Sequence, residues 1–470
     1  MANNDIKETV QAGPTKRFFV EMITRDIELQ DSILDLLDNC VDGVLRSIRG
    51  QIVKEKPYEG FKAEIIFNEK EFIIRDNCGG IPESVAKNQA FMLGRASKVD
   101  DSIPTVGMYG IGMKRAIFKM GRSCKVISET SDNAFKVEIT PEWMSNDNVW
   151  ELELVHTDKV GKNGTSIHIE NLLPNISELF KKDRPIFEDL PRIIAQHYSF
   201  IIEKGFTVYV NGHEIKPKKV GLLVSPDGEF QSRSLTPYIY KGNLDDGLMV
   251  SLAVGFHKPM IDSDDLDEEQ KTRRSSADAG WTIVCNDRVV LYNDKTILTG
   301  WGEAGVPSYH TQFIGILGIV FFNSNDASKL PLTTTKRGVE TSSKNYLYVK
   351  NYMREGLKKF TDYTNYWKGE KETQRAYAES AKVVDFKELV SADANNMWTS
   401  IQNRAKEKKL NLPLMRPVLN DPLTQIKFYR KISEIEKVKL SFYESDSDAK
   451  PSDIGAACFD YFLNRQSGNE

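Results

Sequence analysis

Between Asp26 and Ile48 the apolar residues Ile33, Leu36, Leu37, Val41, Val44 and Leu45 recur at helical spacing, the three-and-four stepping of one helix face. The period then changes. FKAEIIFNEKEFIIRDN (61–77) holds two β-rich runs around Asn68, Glu69 and Lys70 and predicts a hairpin. A Gly-rich region with little strand character runs from Gly79 to Gly112, and a short helix, MKRAIFKMG, follows. Strand-like runs come next at 124–130, 134–140, 150–156 and 165–172. A second unit begins near Ile176. It has a helical stretch at 189–205, then strand-like runs at 206–212, 281–292 and 315–323. Beyond about residue 345 the pattern is helical, and after about 411 it is irregular. No internal repeat is present. The expectation is an α+β protein with a flexible N-terminus (1–17), a first domain (18–175), a second domain (176–345) and a mostly helical C-terminal region (346–470).

The chain has 470 residues, 40% hydrophobic and 28% charged, ample for two or three packed domains. A formal net charge of -4 gives no chain-wide basic field for nucleic acid or an anionic membrane. Five scattered cysteines without a CxxC read as reduced thiols, and six histidines show no ligand spacing. No N-terminal apolar region marks a secretory signal, and no apolar run approaches the roughly 18 residues of a membrane span. The expected location is cytoplasmic. The acidic run DSDDLDEE (262–269) reads as a solvated loop.

Four short motifs carry candidate chemistry. In DLLDNCVDG (35–43), Asp35 and Asn39 are one helical turn apart and Asp42 is three further on, so all three share a face. A carboxylate there can position water, and the amide oxygen of Asn39 suits Mg²⁺. The alternative is the polar face of an amphipathic helix. In IIRDNCGGIP (73–82) a strand ends at Asp76 and a glycine turn follows. Asp76 can accept from the exocyclic amine of adenine, and Gly80 can let the backbone approach the base; the bland reading is a turn. GMYGIGMKRA (107–116) runs GxxGxGxK into a helix. The free N–H groups of such a helix start suit phosphate oxygens. The spacing is not that of a Walker A loop, and no Ser or Thr follows Lys114. In NGTSIHIE (163–170), Gly164 and Thr165 open a strand whose hydroxyl could face a base.

In that order, over about residues 20–175, the motifs resemble the Bergerat nucleotide fold of GHKL ATPases (gyrase, heat-shock chaperone, histidine kinase, MutL). The resemblance implies ATP and Mg²⁺ as ligands, with Asn39 on magnesium and Asp76, Gly80 and Thr165 around adenine. It places Gly107, Gly110, Gly112, Met113 and Lys114 at the phosphates, under a lid spanning about 83–112 to which Lys98 adds a contact. The family's general base is Glu; here Asp35 takes the position, one methylene shorter, with Asp31 as a rival. Cys78 replaces the first glycine of the family's adenine turn. Both departures bear on turnover more than on binding.

LPLTTTKRG (330–338) is similar to the heat-shock chaperone loop that sends a basic residue to the γ-phosphate, and Lys336 falls at that position. Residues 176–345 are then transducer-like, and Lys336 joins Asp35 as a catalytic candidate. Lys keeps the charge of the family's Arg and loses its fork. The nearest style is MORC-like and MutL-like. That implies an ATP-gated clamp that pairs its N-terminal domains as a homodimer and works with protein partners, with DNA as a candidate substrate and no membrane. A chaperone-like ATPase and a nucleotide-binding module with negligible hydrolysis are the alternatives. Between Ile401 and Leu440 basic residues exceed acidic ones, with Phe428 and Tyr429 among them; this reads as a solvated face or a contact for nucleic-acid backbone.

Overall fold

The computed structural model describes residues 15–48, 55–92, 110–225, 234–244, 247–259, 278–333, 336–368, 371–391, 397–402, 404–416, 426–443 and 448–466. Lys98, Gly107, most of the expected lid and the acidic run at 262–269 lie outside these residues. The chain divides into two units, Met1–Pro417 and Val418–Glu470.

The first unit is built on two mixed sheets. One contains β1 (Lys62–Phe67), β2 (Phe72–Asp76), β3 (Gly121–Glu129), β4 (Ala134–Ile139), β5 (Leu154–His156), β6 (Gly164–Leu172), β7 (Thr207–Val210) and β8 (His213–Glu214), in the order β5-β4-β3-β6-β2-β1-β7-β8. The predicted hairpin is β1 against β2, with Phe67 opposite Phe72. Along β1 and β6, Ala63, Ile65, Phe67, Ile167 and Ile169 are buried while their sequence neighbours are more exposed, the period-two alternation of a sheet with one covered face. Helices α1 (Lys16–Arg25), α2 (Leu29–Ser47) and α3 (Gly112–Met120) contribute to the same core.

The boundary expected at 175 falls inside this layer. α4 (Pro141–Ser145) is followed by α5 (Pro174–Leu179), α6 (Ile186–His197) and α7 (Ser199–Glu203). Ile176, Phe180, Leu190, Ile194, Tyr198 and Ile201 belong to the first core, and β7 pairs in parallel with β1. The chain therefore completes the first sheet near Ile215 before it starts the second.

The second sheet comprises β10 (Tyr238–Leu244), β11 (Leu248–Phe256), β12 (Gly280–Cys285), β13 (Arg288–Asp294), β14 (Ile316–Asn323), β16 (Thr399–Ile401) and β17 (Arg404–Leu410). Its order is β13-β12-β14-β11-β10-β17-β16; β9 (Gly221–Val224) pairs separately with β15 (Lys382–Asp385). The single run expected at 281–292 is a hairpin. Asn286 and Asp287 both take positive φ, 46° and 67°, the paired left-handed residues of a tight primed turn. The region after 345 is helical in α8 (Lys344–Tyr366), α9 (Lys371–Glu379) and α10 (Phe386–Ser391), yet it also supplies β15, β16 and β17. Four of its basic residues are spent structurally: Lys409 pairs with Glu355, Arg404 with Glu407, and Lys408 and Arg416 sit over Trp398 and Tyr366. Strand character at RAKEKKL is hidden because five of its seven residues are charged, and pairing with β10 overrides propensity.

The second unit contains α11 (Ile432–Phe442) and α12 (Pro451–Gln466), joined by an edge contact of Phe442 and Tyr461. Phe428 and Tyr429 are exposed. No helix among the described residues is long and apolar enough to cross a membrane.

Gly356 lets α8 lie close on the second sheet: a Cβ there would meet Val254 Cγ1 at 2.3 Å and Tyr238 Cδ1 at 3.0 Å. Alanine is the better helix former by up to about 1 kcal/mol, but overpacking costs roughly 1–3 kcal/mol. Gly356→Ala should therefore lower the thermal midpoint by several degrees. An unchanged or raised midpoint in differential scanning calorimetry would refute this packing.

Candidate nucleotide site

α2 starts without a side-chain cap, but Asp31 in its first turn suits the positive end of the helix dipole. Its acids Asp31, Asp35, Asp38 and Asp42 are spaced four, three and four residues apart, which keeps them within one narrow stripe. The stripe is not solvated. Asp35 is 3% exposed and Asp38 1%, so the amphipathic-face reading fails: α2 is covered on its acidic side too. Buried carboxylates require partners, and the partners come from three directions.

Arg115, in the first turn of α3, holds Asp35 Oδ2, with Nε at 3.2 Å and Nη2 in contact. Lys336 Nζ lies 2.9 Å from Asp38 Oδ2 and 3.8 Å from Asp35 Oδ1. Arg288, the first residue of β13, donates from Nε to Asp38 Oδ1 at 2.9 Å, and the Tyr198 hydroxyl donates to the same oxygen. Arg337 Nε stands 2.8 Å from Asp31 Oδ1. Asp35, the expected base, thus sits in a cationic clasp, while its rival Asp31 is paired one turn away.

Charge and burial compete at each member. Burial raises the Asp35 carboxyl above the ordinary aspartate range, and Lys336 and Arg115 only partly oppose it. Asp38 is fully buried, but Lys336 and Arg288 overcome that and hold it at about 2. Burial works against the Lys336 ammonium, yet Asp38 and Asp35 raise its pKa. His197 is kept neutral by burial and by nearby Arg288, and its Nδ1–H donates to Val289 O at 2.7 Å.

The start of α3 closes onto this cluster. A Cβ on Gly112 would stand 3.3 Å from Asp35 Cβ and Cγ. The N-terminal turn that could hold an anion therefore lies against the candidate base. Gly110 has φ 65°, consistent with a tight entry to the helix. Met113 is buried in the first core. Lys114 turns the other way. Its ammonium donates to Ala90 O at 2.8 Å and to Gly110 O, and it lines an apolar cavity of about 460 Å³ with Phe91, Phe118, Val137, Trp143 and Trp150.

At the other end, Asp76 Oδ1 accepts from the backbone N–H of Cys78 at 2.7 Å and of Thr165 at 3.3 Å. Burial raises its pKa, opposed by these donors and by the Cys40 thiol. Positive φ falls at Gly79 and Gly80, 91° and 73°, and Cys78 stays outside the left-handed region, which is why a side chain is tolerated there. The absence of a Cβ at Gly80 is used against β3, where one would meet Glu129 O at 2.2 Å. Closeness to the neighbouring strand is therefore what requires glycine at this position. Thr165 Oγ1 lies 3.5 Å from Ser128 Oγ, which accepts from Ile81 N–H at 2.7 Å. A polar cavity of about 820 Å³ opens beside this turn, lined by Arg46, Gly79, Gly80, Glu83, Thr130 and Asn163, among others. Asn39 is half-buried between the two ends of the site, and its amide makes no hydrogen bond among the described residues.

Asp35 and Lys336 come together, as do Asp76 and Thr165. Lys114 does not join Asp35. Asp38, Arg115, Arg288, Arg337 and Tyr198 were not anticipated. Asp38 had a legible signal, since it completes the acidic stripe. Arg288 had none, because its partner lies 250 residues away.

Residues 27–171 match the family model of histidine kinase-, DNA gyrase B- and HSP90-like ATPases. No curated protein matches the chain.

Burial lowers the Lys114 pKa from 10.5 to about 8, with no carboxylate opposing it. A folded-state pKa below the unfolded one means that the fold binds the proton less well. The penalty is absent above about pH 10.5, grows as pH falls to 8, and stays complete below that, at most about 3 kcal/mol. Lys114→Met should raise the thermal midpoint at pH 7, with a smaller gain at pH 10; a lower midpoint at pH 7 would contradict the assignment.

Proposed function

We propose, from the membership of residues 27–171 in the GHKL ATPase superfamily, that the protein binds Mg-ATP between α2, the Asp76 turn and the start of α3, and hydrolyses it slowly. The observation that carries this reading is the convergence on Asp35: the helix start at Gly112 and the ammonium of Lys336, from the loop after β14, both approach the same carboxylate.

In this reading Asp76 accepts from the adenine amine, with Thr165 beside it. The backbone N–H groups at Gly110 to Met113 face the phosphates, with Gly107, Lys98 and Lys114 as further candidates. Lys114 would have to exchange its carbonyl partners for phosphate. Magnesium, when bound through Asn39 and the phosphate oxygens, supplies charge neutralisation. The half-buried amide of Asn39, without a hydrogen bond among the described residues, fits that role. Asp35 orients the attacking water and takes its proton; the raised pKa improves it as a base at neutral pH. Lys336 senses the terminal phosphate, which only ATP offers. That differential contact is what a nucleotide-driven switch needs; the clamp proposed on this basis pairs its first domains in a homodimer and acts on protein partners or DNA.

A second reading, a nucleotide-binding module with negligible turnover, draws on one observation: Arg115 already occupies Asp35 Oδ2. Steady-state ATP hydrolysis separates the two, with Asn39→Ala as the blank. Turnover absent from the blank, and reduced at least about 100-fold in Asp35→Asn with ATP affinity retained, supports the ATPase. Tight binding with no turnover in the unmodified chain favours the module. Turnover unchanged in Asp35→Asn removes Asp35 as the base.

A further inference from the structure

The geometry points to Asp38 as the positioning residue that fixes the sensor lysine and joins it to the second sheet. The inference rests on Lys336 as the reader of the terminal phosphate.

Asp38 divides its two oxygens between two connections. Oδ1 takes Arg288 Nε at 2.9 Å and the Tyr198 hydroxyl; Oδ2 takes Lys336 Nζ at 2.9 Å. The Oδ1 side is rigid. Arg288 also donates from Nη1 to Val289 O at 2.7 Å and His197 O at 3.2 Å, and its guanidinium lies 4.2 Å from the Tyr198 ring centroid. The preceding residue, Asp287, is clamped by Lys204 at 2.5 Å. The tip of the β12–β13 hairpin is thereby pinned into the first layer.

The Oδ2 side is adjustable. A lysine ammonium has three donors on a flexible stem. Lys336 already sits between two carboxylates, close to Asp38 and 3.8 Å from Asp35. A terminal phosphate beside Asp35 adds a third anion within its reach. Asp38 then determines how far the ammonium stands from that phosphate. Any shift of Lys336 alters the electrostatic balance at a carboxylate whose other oxygen is bound to β13. Asp38 has no hydrogen bond to the base or to the phosphate-type helix start among the described residues; apart from its charge repulsion on Asp35, it acts through Lys336.

Contiguity alone does not establish coupling, and a merely structural ion pair would give the same picture. A double-mutant cycle distinguishes them. The quantity to measure is the ratio of Mg-ATP to Mg-ADP affinity of the full chain, for the unmodified protein, Asp38→Asn, Lys336→Met and the double variant. The inference expects the ATP preference to fall about tenfold in Asp38→Asn, with ADP affinity within about twofold of the unmodified protein, and no further loss in the double variant. An unaltered preference in Asp38→Asn, or a loss that adds to that of Lys336→Met, overturns it. If Lys336→Met keeps the full preference, the sensor reading itself fails and the inference with it. Should Asp38→Asn not fold, Arg288→Lys tests the same carboxylate, because it keeps the charge and loses the fork. Reduced preference with unchanged ADP affinity supports the role, and unaltered preference overturns it.

Discussion

Burying a row of carboxylates on one helix imposes a demand that the rest of the first unit meets. Asp31, Asp35 and Asp38 leave bulk water, and an unpaired buried charge is among the most costly features a fold can hold. The cations that answer them come from α3, from the β12–β13 hairpin and from the loop after β14. The second sheet is thus held to the first layer by charge at α2 as well as by apolar packing such as Phe200 of α7 on Phe321 of β14. Replacing such a network with apolar residues would often be as stable. What apolar residues would lose is sensitivity to a new anion, which follows directly from Lys336 standing between two carboxylates.

The first layer was legible because its signals are local. The stepping of Ile33, Leu37, Val41 and Val44 set α2, and the alternation on either side of Asn68 set the hairpin. The four motifs were legible only in combination, since each alone is an ordinary turn, helix or strand start. The boundary at 175 was not legible: α5 to α7 and β7 look like the opening of a new domain, and only the pairing of β7 with β1 returns them to the first sheet. The turn at Asn286 and Asp287 was passed over although polar Asn286, Asp287 and Arg288 interrupt the apolar residues on either side. Of the site, Asp35 and Lys336 were singled out through a resemblance and lie 3.8 Å apart, while Arg288 and Tyr198 carry no motif and meet Asp38 only in three dimensions.

The same electrostatics bears on the speed of any chemistry. Asp35 is one methylene shorter than the usual glutamate and shares its carboxylate with Arg115. Its raised pKa favours proton acceptance near neutrality, whereas the guanidinium holds it away from free rotation. On the proposed reading, a carboxylate so restrained suits slow turnover.

The central claim is that the terminal phosphate is felt across α2 by the second sheet. Hydrogen exchange of the full chain, compared in Mg-ATP and Mg-ADP, tests it most directly. The account predicts exchange differences specific to ATP at the Lys336 loop and at the β12–β13 hairpin around Arg288, in addition to those within 27–171. Identical patterns with the two nucleotides, or differences confined to 27–171, would contradict it.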